Sequence, residues 1–278
     1  MSLFITSLNS GSNGNCYYIG NREEGVLVDV GISCREVEKR MNRLGLPVTN
    51  VKAIFISHEH TDHIAGLAVM SKKYQLPVYI TERTLQNCPV QIEKKLTVIF
   101  RPYATVYVGN LGVTAFPKSH DALDPHSFTV KYNSVCVGIF TDIGIVCDNL
   151  VHHFKECNAA FLEANYDEAM LMAGKYPYFL KNRIKGGQGH LSNAQAYRLF
   201  TEHRSPYLSH LILSHLSKEN NCPKLVDGIF KEDSVKTAII VASRYEETPI
   251  FQVNGARTAI RTLSKPLIRQ RDVQLSLF

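Results

Sequence analysis

The sequence lacks most of the features that would place it outside the ordinary globular proteins. Its seven cysteines (Cys16, Cys34, Cys88, Cys136, Cys147, Cys157 and Cys222) are scattered, odd in number and never spaced Cys-x-x-Cys. They therefore offer neither a disulfide framework nor a thiolate zinc cage, and read as reduced, mostly buried thiols. No apolar run approaches membrane-spanning length. Met1 leads through a short β-like run into Ser10-Gly11-Ser12-Asn13-Gly14-Asn15 rather than into a cationic region and a long apolar one. No secretory leader is expected, and the expected location is the cytoplasm. Neither sign of charge dominates: 31 Lys and Arg against 25 Asp and Glu leave a formal +6, which suits an anionic partner without requiring one. No Pro/Gly/Ser linker divides the first 256 residues, and no repeat is visible.

What is present is a folded α/β pattern. The 278 residues, 45% apolar, are enough for a sizeable core. Strands are expected at 3–8, 16–19, 26–30 and 51–56, and then at 78–80, 98–100, 106–108, 113–116, 128–132 and 135–140, the last two joined by Asn133-Ser134. Ser33 with Glu36 forms a capping-box pattern ahead of the stripe Val37, Met41, Leu44, and Ile64 to Tyr74 reads as a second helix. A later series alternates again: strand 160–162, a helix near 166–173, a helix opened by Ser192 and Gln195, strand 211–213, helix 222–230 and strand 238–241. Two mixed sheets packed face to face with helices outside, in one domain over residues 1–256, account for this order. After Gly255 the chain turns basic (Arg257, Arg261, Lys265, Arg269, Arg271) and ends in Gln274-Leu275-Ser276-Leu277-Phe278, a basic tail over 257–278 with an apolar tip.

Chemistry concentrates in His58-Glu59-His60-Thr61-Asp62-His63. His58 and His60, two apart in an extended turn, project to one side, while Asp62 and His63 open the next helix and point back to the same place. Nitrogen and oxygen donors of this kind suit zinc, manganese or iron. This ordered set resembles the signature of the metallo-β-lactamase superfamily, and Asp29 in Leu27-Val28-Asp29-Val30-Gly31 resembles its upstream structural aspartate. The resemblance implies an αβ/βα four-layer sandwich. It also implies three further ligands, His120 in Ser119-His120-Asp121, Asp142 in Thr141-Asp142-Ile143, and His215 in Ser214-His215-Leu216. One divalent ion then belongs to His58, His60, His120 and Asp142, and a second to Asp62, His63, His215 and Asp142. Two such ions, the two carboxylates and a bridging hydroxide leave about one positive charge, which suits a phosphate ester better than a neutral amide. Asp62 and His190 are the residues expected to take part in catalysis, His190 by protonating the leaving group. Glu163 and Asn165, at the end of a strand, are expected to orient a ligand.

Within the superfamily, Ser10 to Cys16, His120-Asp121-Ala122, Leu162 to Asp167 and Gly189-His190-Leu191-Ser192-Asn193 together resemble the WalJ (YycJ) family of bacterial proteins, across roughly the first 245 residues as judged by motif position. That family implies a DNA exonuclease, possessing 5′ to 3′ polarity in some members, acting in replication or repair. The alternatives are a small-molecule hydrolase of a thioester or cyclic phosphodiester, which a narrow closed pocket would favour, and a non-catalytic regulatory module. For a nucleic acid, Lys181, Arg183 and Lys185 are candidate phosphate contacts, as are Ser10, Ser12 and Asn13. Each group reads equally as a solvated helix end or a turn. Gln274, Leu275, Ser276, Leu277 and Phe278 resemble the peptide by which bacterial replication and repair proteins grip the DNA sliding clamp, or else form a tail folded back on its own core.

Overall fold

Apolar runs cut by Gly and Asn become strands throughout. The computed structural model describes residues 2–234 and 236–255 and the strand at 261–263. The chain runs β1 (Ser2–Asn9), β2 (Cys16–Gly20), β3 (Gly25–Val28), α1 (Cys34–Arg43), β4 (Val51–Phe55), α2 (Thr61–Ile64), α3 (Leu67–Tyr74), β5 (Val78–Ile80), α4 (Glu82–Asn87), β6 (Thr97–Ile99), β7 (Thr105–Val108), β8 (Leu111–Pro117) and β9 (His126–Tyr132). It continues through β10 (Val135–Phe140), α5 (Asp148–Lys155), β11 (Ala159–Glu163), α6 (Glu168–Ala173), α7 (Tyr178–Lys185), α8 (Asn193–His203), β12 (His210–Ser214), α9 (Pro223–Lys231), β13 (Ala238–Val241), β14 (Ile250–Asn254) and β15 (Arg261–Leu263).

Two sheets result, in the orders β15-β14-β1-β2-β3-β4-β5-β6 and β13-β12-β11-β10-β9-β8-β7. Alternation along single strands builds the layers. In β1, Leu3 and Ile5 enter the core between the sheets while Phe4 and Leu8 pack under α1. In β10, Val137 and Ile139 face the first sheet while Phe140 faces Leu150 and Phe154 of α5. Helices α8 and α9 add Phe200 and Phe230 to that outer layer. Each such side chain contributes roughly 1.5–3 kcal/mol on burial. The outcome is the four-layer αβ/βα arrangement.

Three expectations need adjustment. Helix 64–74 is broken into α2 and α3 at Gly66, whose N–H goes to the Val30 carbonyl, and a Cβ there would lie 2.0 Å from the Ile32 oxygen. The Ser33 cap accepts from the Glu36 amide, but the Glu36 carboxylate turns to Lys39, so only Ser192 and Gln195 complete a capping box. Helices α4 and α5 and strand β14 were not expected. β14 pairs antiparallel with β1, Ser2 opposite Asn254, and Arg261–Leu263, beyond the boundary expected at residue 256, pairs with β14 in turn. Among the described residues no helix is long and apolar enough to cross a membrane.

Parallel pairing places the site. β3 and β4 run parallel in one sheet, β10, β11 and β12 in the other, and β8 shares their direction through the antiparallel β9. The carboxyl ends of all six therefore meet along one edge, where open α/β sheets hold their ligands.

Candidate metal centre

Sharp turns at the strand ends present the polar side chains. Asp29 after β3, Asp142 after β10 and His215 after β12 all have left-handed backbones, with φ of 61°, 56° and 57°. A non-glycine residue in that conformation costs about 1–2 kcal/mol, and such residues concentrate at functional sites. Buried Asp29 organises the turn after β4. Its carboxylate accepts from the Ser57 N–H and hydroxyl, both at 2.8 Å, and from His63 Nδ1–H at 2.7 Å. Beyond Ser57, His60 stands at the N-terminal boundary of α2, and Asp62 and His63 lie within that short helix.

The seven expected ligands converge. His58, His60 and His120 form one group and Asp62, His63 and His215 another, the offered atoms of each lying within 4.8 Å of one another. Asp142 sits between them: Oδ2 is 3.3 Å from His63 Nε2 and Oδ1 3.9 Å from His120 Nε2. His120 Nε2 and Asp142 Oδ2 are buried without a hydrogen-bond partner. Leaving such atoms unpaired is costly, and a divalent cation among these nitrogens and oxygens would satisfy both, so the donor set fits a metal.

Electrostatics agree. Burial pushes His58 well down and His120 to about 4, keeping both imidazoles neutral, the form that ligates. At Asp142 burial works upward, but His215, His63 and Lys118 outweigh it and hold the carboxyl well below its usual range. At His63 and His215 burial is overcome by the surrounding carboxylates, which raise His215 to about 10. A cation would displace those protons.

A ring of supporting contacts fixes the ligands. Glu163, fully buried at the end of β11, accepts through Oε1 from His190 Nδ1–H at 2.8 Å and His215 Nδ1–H at 2.9 Å. Its Oε2 accepts from the Ile143 and Leu191 amides. Burial would raise this carboxyl, but the His190 ring and the bonds from both histidines hold it at about 2. The Asn165 side chain donates to the His215 carbonyl, and His120 Nδ1–H to the Gly189 carbonyl. Four supports went unrecognised in the sequence. Asn15 donates to Asp62 Oδ2, Ser57 holds Asp29, and Glu59 accepts from the Leu123 amide to fix the loop after His120. Lys118, buried, donates to the Thr141 carbonyl beside Asp142. Single Asn, Ser, Glu and Lys residues carry no signature until the fold assembles them.

The candidate phosphate contacts divide. Ser10 is corrected: at 2% exposure its hydroxyl accepts from the His215 N–H and bonds Tyr17, so it serves the architecture. Ser12 and Asn13 are exposed, Asn13 donating to the Arg244 carbonyl. Arg183 reaches Asp121 beside His120, Lys181 turns to the Met172 carbonyl, and Lys185 is exposed at the end of α7. Gln274, Leu275, Ser276, Leu277 and Phe278 lie outside the described residues. Next to His60, a hollow of about 520 Å³ is rimmed by exposed Thr61, Asn87, Pro89 and Leu123.

Residues 25–216 match the beta-lactamase superfamily domain. The chain is 35% identical over 228 residues to the exodeoxyribonuclease YycJ of Bacillus anthracis, covering 81% of this chain and 86% of that protein. It is 31% identical over 223 residues to the exodeoxyribonuclease WalJ of Streptococcus pneumoniae, covering 78% and 83%. Among solved structures, the metallo-beta-lactamase fold protein YhfI from Bacillus subtilis superposes with a TM-score of 0.69 at 17% identity, over 88% of this chain and 99% of that one, and so shares the fold.

Proposed function

Because the chain belongs to the beta-lactamase superfamily and, within it, to the family of the YycJ and WalJ exodeoxyribonucleases, we propose that it is a metal-dependent phosphodiesterase that removes nucleotides from DNA ends. The observation that carries this reading is the pair of histidine clusters on either side of Asp142, with an open hollow beside His60. An open hollow suits a polymer, whereas a small thioester or cyclic phosphodiester calls for an enclosed pocket.

Two divalent ions, zinc or manganese with iron as a third choice, are proposed: one held by His58, His60, His120 and Asp142, the other by Asp62, His63, His215 and Asp142. Bound there, such ions polarise a phosphodiester oxygen and lower the pKa of water toward neutrality. The chain's own residues do the rest. Glu163 binds Nδ1–H of His190, which fixes the ring and leaves Nε2 to hold the proton that the leaving oxygen takes. Asp62, held by Asn15 and facing His63 and His215, offers a carboxylate that can accept the proton a nucleophilic water gives up. Arg183 on Asp121, with Lys185, Ser12 and Asn13, supplies polar groups along the approach. The cytoplasm is the proposed location, in keeping with seven free cysteines. The terminal Gln274 to Phe278 peptide is proposed to bind the sliding clamp, which would link the activity to replication or repair.

The test is hydrolysis by purified protein with manganese or zinc, offered end-labelled single-stranded and duplex DNA beside a generic thioester. Stepwise release of nucleotides is expected. Thioester hydrolysis without DNA cleavage would overturn the reading.

A further inference from the structure

On the His215 side of the centre the structure holds a second cavity that neither the ligands nor His190 uses. It measures about 260 Å³ and lies between the turn after β12 and the loop joining β13 to β14. Its lining is apolar at Leu216, Pro223, Val241 and Ala242 and also carries Lys218, Arg244 and Tyr245. Leu216 directly follows the expected ligand His215, so cavity and centre share a turn.

The loop bearing Tyr245 is fastened by its backbone. The Ser243 carbonyl accepts from the Ser10 N–H, that of Arg244 from the Asn13 side chain, and that of Tyr245 from Arg40 at 3.0 Å. The Thr248 N–H returns to the Ser7 carbonyl. Arg244 donates to the Leu216 carbonyl at 2.8 Å and lies so close to Gly11, whose φ is 143°, that a Cβ there would be 2.9 Å from its guanidinium. Despite this fastening, the Tyr245 side chain is 71% exposed. An exposed aromatic ring carried on an anchored backbone at the lip of an apolar cavity, flanked by two cations, has the composition of a base-stacking site on a phosphate chain.

We propose that this cavity is a nucleoside subsite of the DNA strand whose phosphodiester lies at the centre, with Tyr245 stacking on the base and Lys218 and Arg244 beside the adjoining phosphate. The proposal rests on the exonuclease reading and names where the substrate sits. The volume suits one nucleoside, being near the lower end for small-ligand pockets. Stacking has no need of a particular base, so the subsite holds a strand without selecting its sequence.

The test uses the full chain loaded with manganese and a short single-stranded oligonucleotide with cleavage-resistant phosphorothioate linkages carrying 2-aminopurine, whose fluorescence falls on stacking. Wild-type protein should bind and quench it. Tyr245→Ala should weaken binding about tenfold and abolish the quench, while Tyr245→Phe retains both. Equal melting temperatures of the three proteins exclude misfolding as the cause. Binding without a quench, or with a quench that Tyr245→Ala leaves intact, overturns the subsite alone. Failure of all three proteins to bind the oligonucleotide overturns the exonuclease reading as well.

Discussion

At the residue scale, Asp142 and His190 stand near each other yet do different work, and their variants should separate. Asp142 lies between both histidine groups, and without its carboxylate the two proposed cations would repel across the gap. Asp142→Ala is therefore expected to lose bound metal and activity together. His190→Ala should keep its metal and turn over roughly a hundredfold more slowly, the usual cost of a lost general acid. Metal analysis and initial rates on both proteins check this; two equivalents of metal and full turnover in the Asp142 variant would refute the ligand assignment. The convergence of the expected ligands was legible because the His58 to His63 spacing is dense and ordered, and the family template pointed to the others. Ser10 was misjudged because its neighbours look like a phosphate loop, whereas the fold turns its hydroxyl onto the His215 amide. Nothing local in the sequence announces that contact between residues 205 positions apart.

Among the elements, the strands were readable from apolar runs and the better-capped helices from their caps. Helix α5 was not, since it opens at Cys147 without a side-chain cap, and its stripe is short, with only Leu150 and Phe154 buried. Strand β14 was missed, and its partner β1 lies at the other end of the chain. Helix α7 is unlike the rest of this set: none of its residues is buried, whereas α8 buries Ala196, Leu199 and Phe200. Local opening follows such differences in packing. Amide hydrogens of Tyr178–Lys185 are thus expected to exchange about a hundredfold faster than those of α8. Hydrogen-exchange mass spectrometry on the chain without DNA would show it, and equal protection would mean that α7 is held by more than its visible contacts.

For the whole molecule, buried histidines away from the centre make folding depend on pH. Burial pushes His210, 1% exposed and packed on Phe251, down to about 4 from 6.5. The unfolded chain then binds the extra proton first, so this stabilisation is complete above pH 6.5 and is lost as the pH falls toward 4, at up to about 1.4 kcal/mol per pH unit. His153, stacked on Phe116 at 3.9 Å and likewise held at about 4, adds in the same direction. Chemical denaturation at successively lower pH should show the decline, and His210→Gln should flatten it; an unchanged slope would rule His210 out. At the far end of the chain, removing Gln274 to Phe278 is expected to abolish binding to the sliding clamp and leave hydrolysis of short DNA ends intact, because a tether raises local concentration without touching chemistry. Calorimetry of clamp with full-length and shortened proteins decides, and equal affinity would sink the idea. The pairing of β1 with β14 carries a different consequence, one in time. At roughly 5–20 residues per second of synthesis, β1 waits on the order of ten to fifty seconds for its second neighbour to be made. During that interval the outer side of Ser2–Ile5 lies bare on the ribosome-bound chain, so the newborn protein is open to mispairing, and to chaperone capture, along this edge.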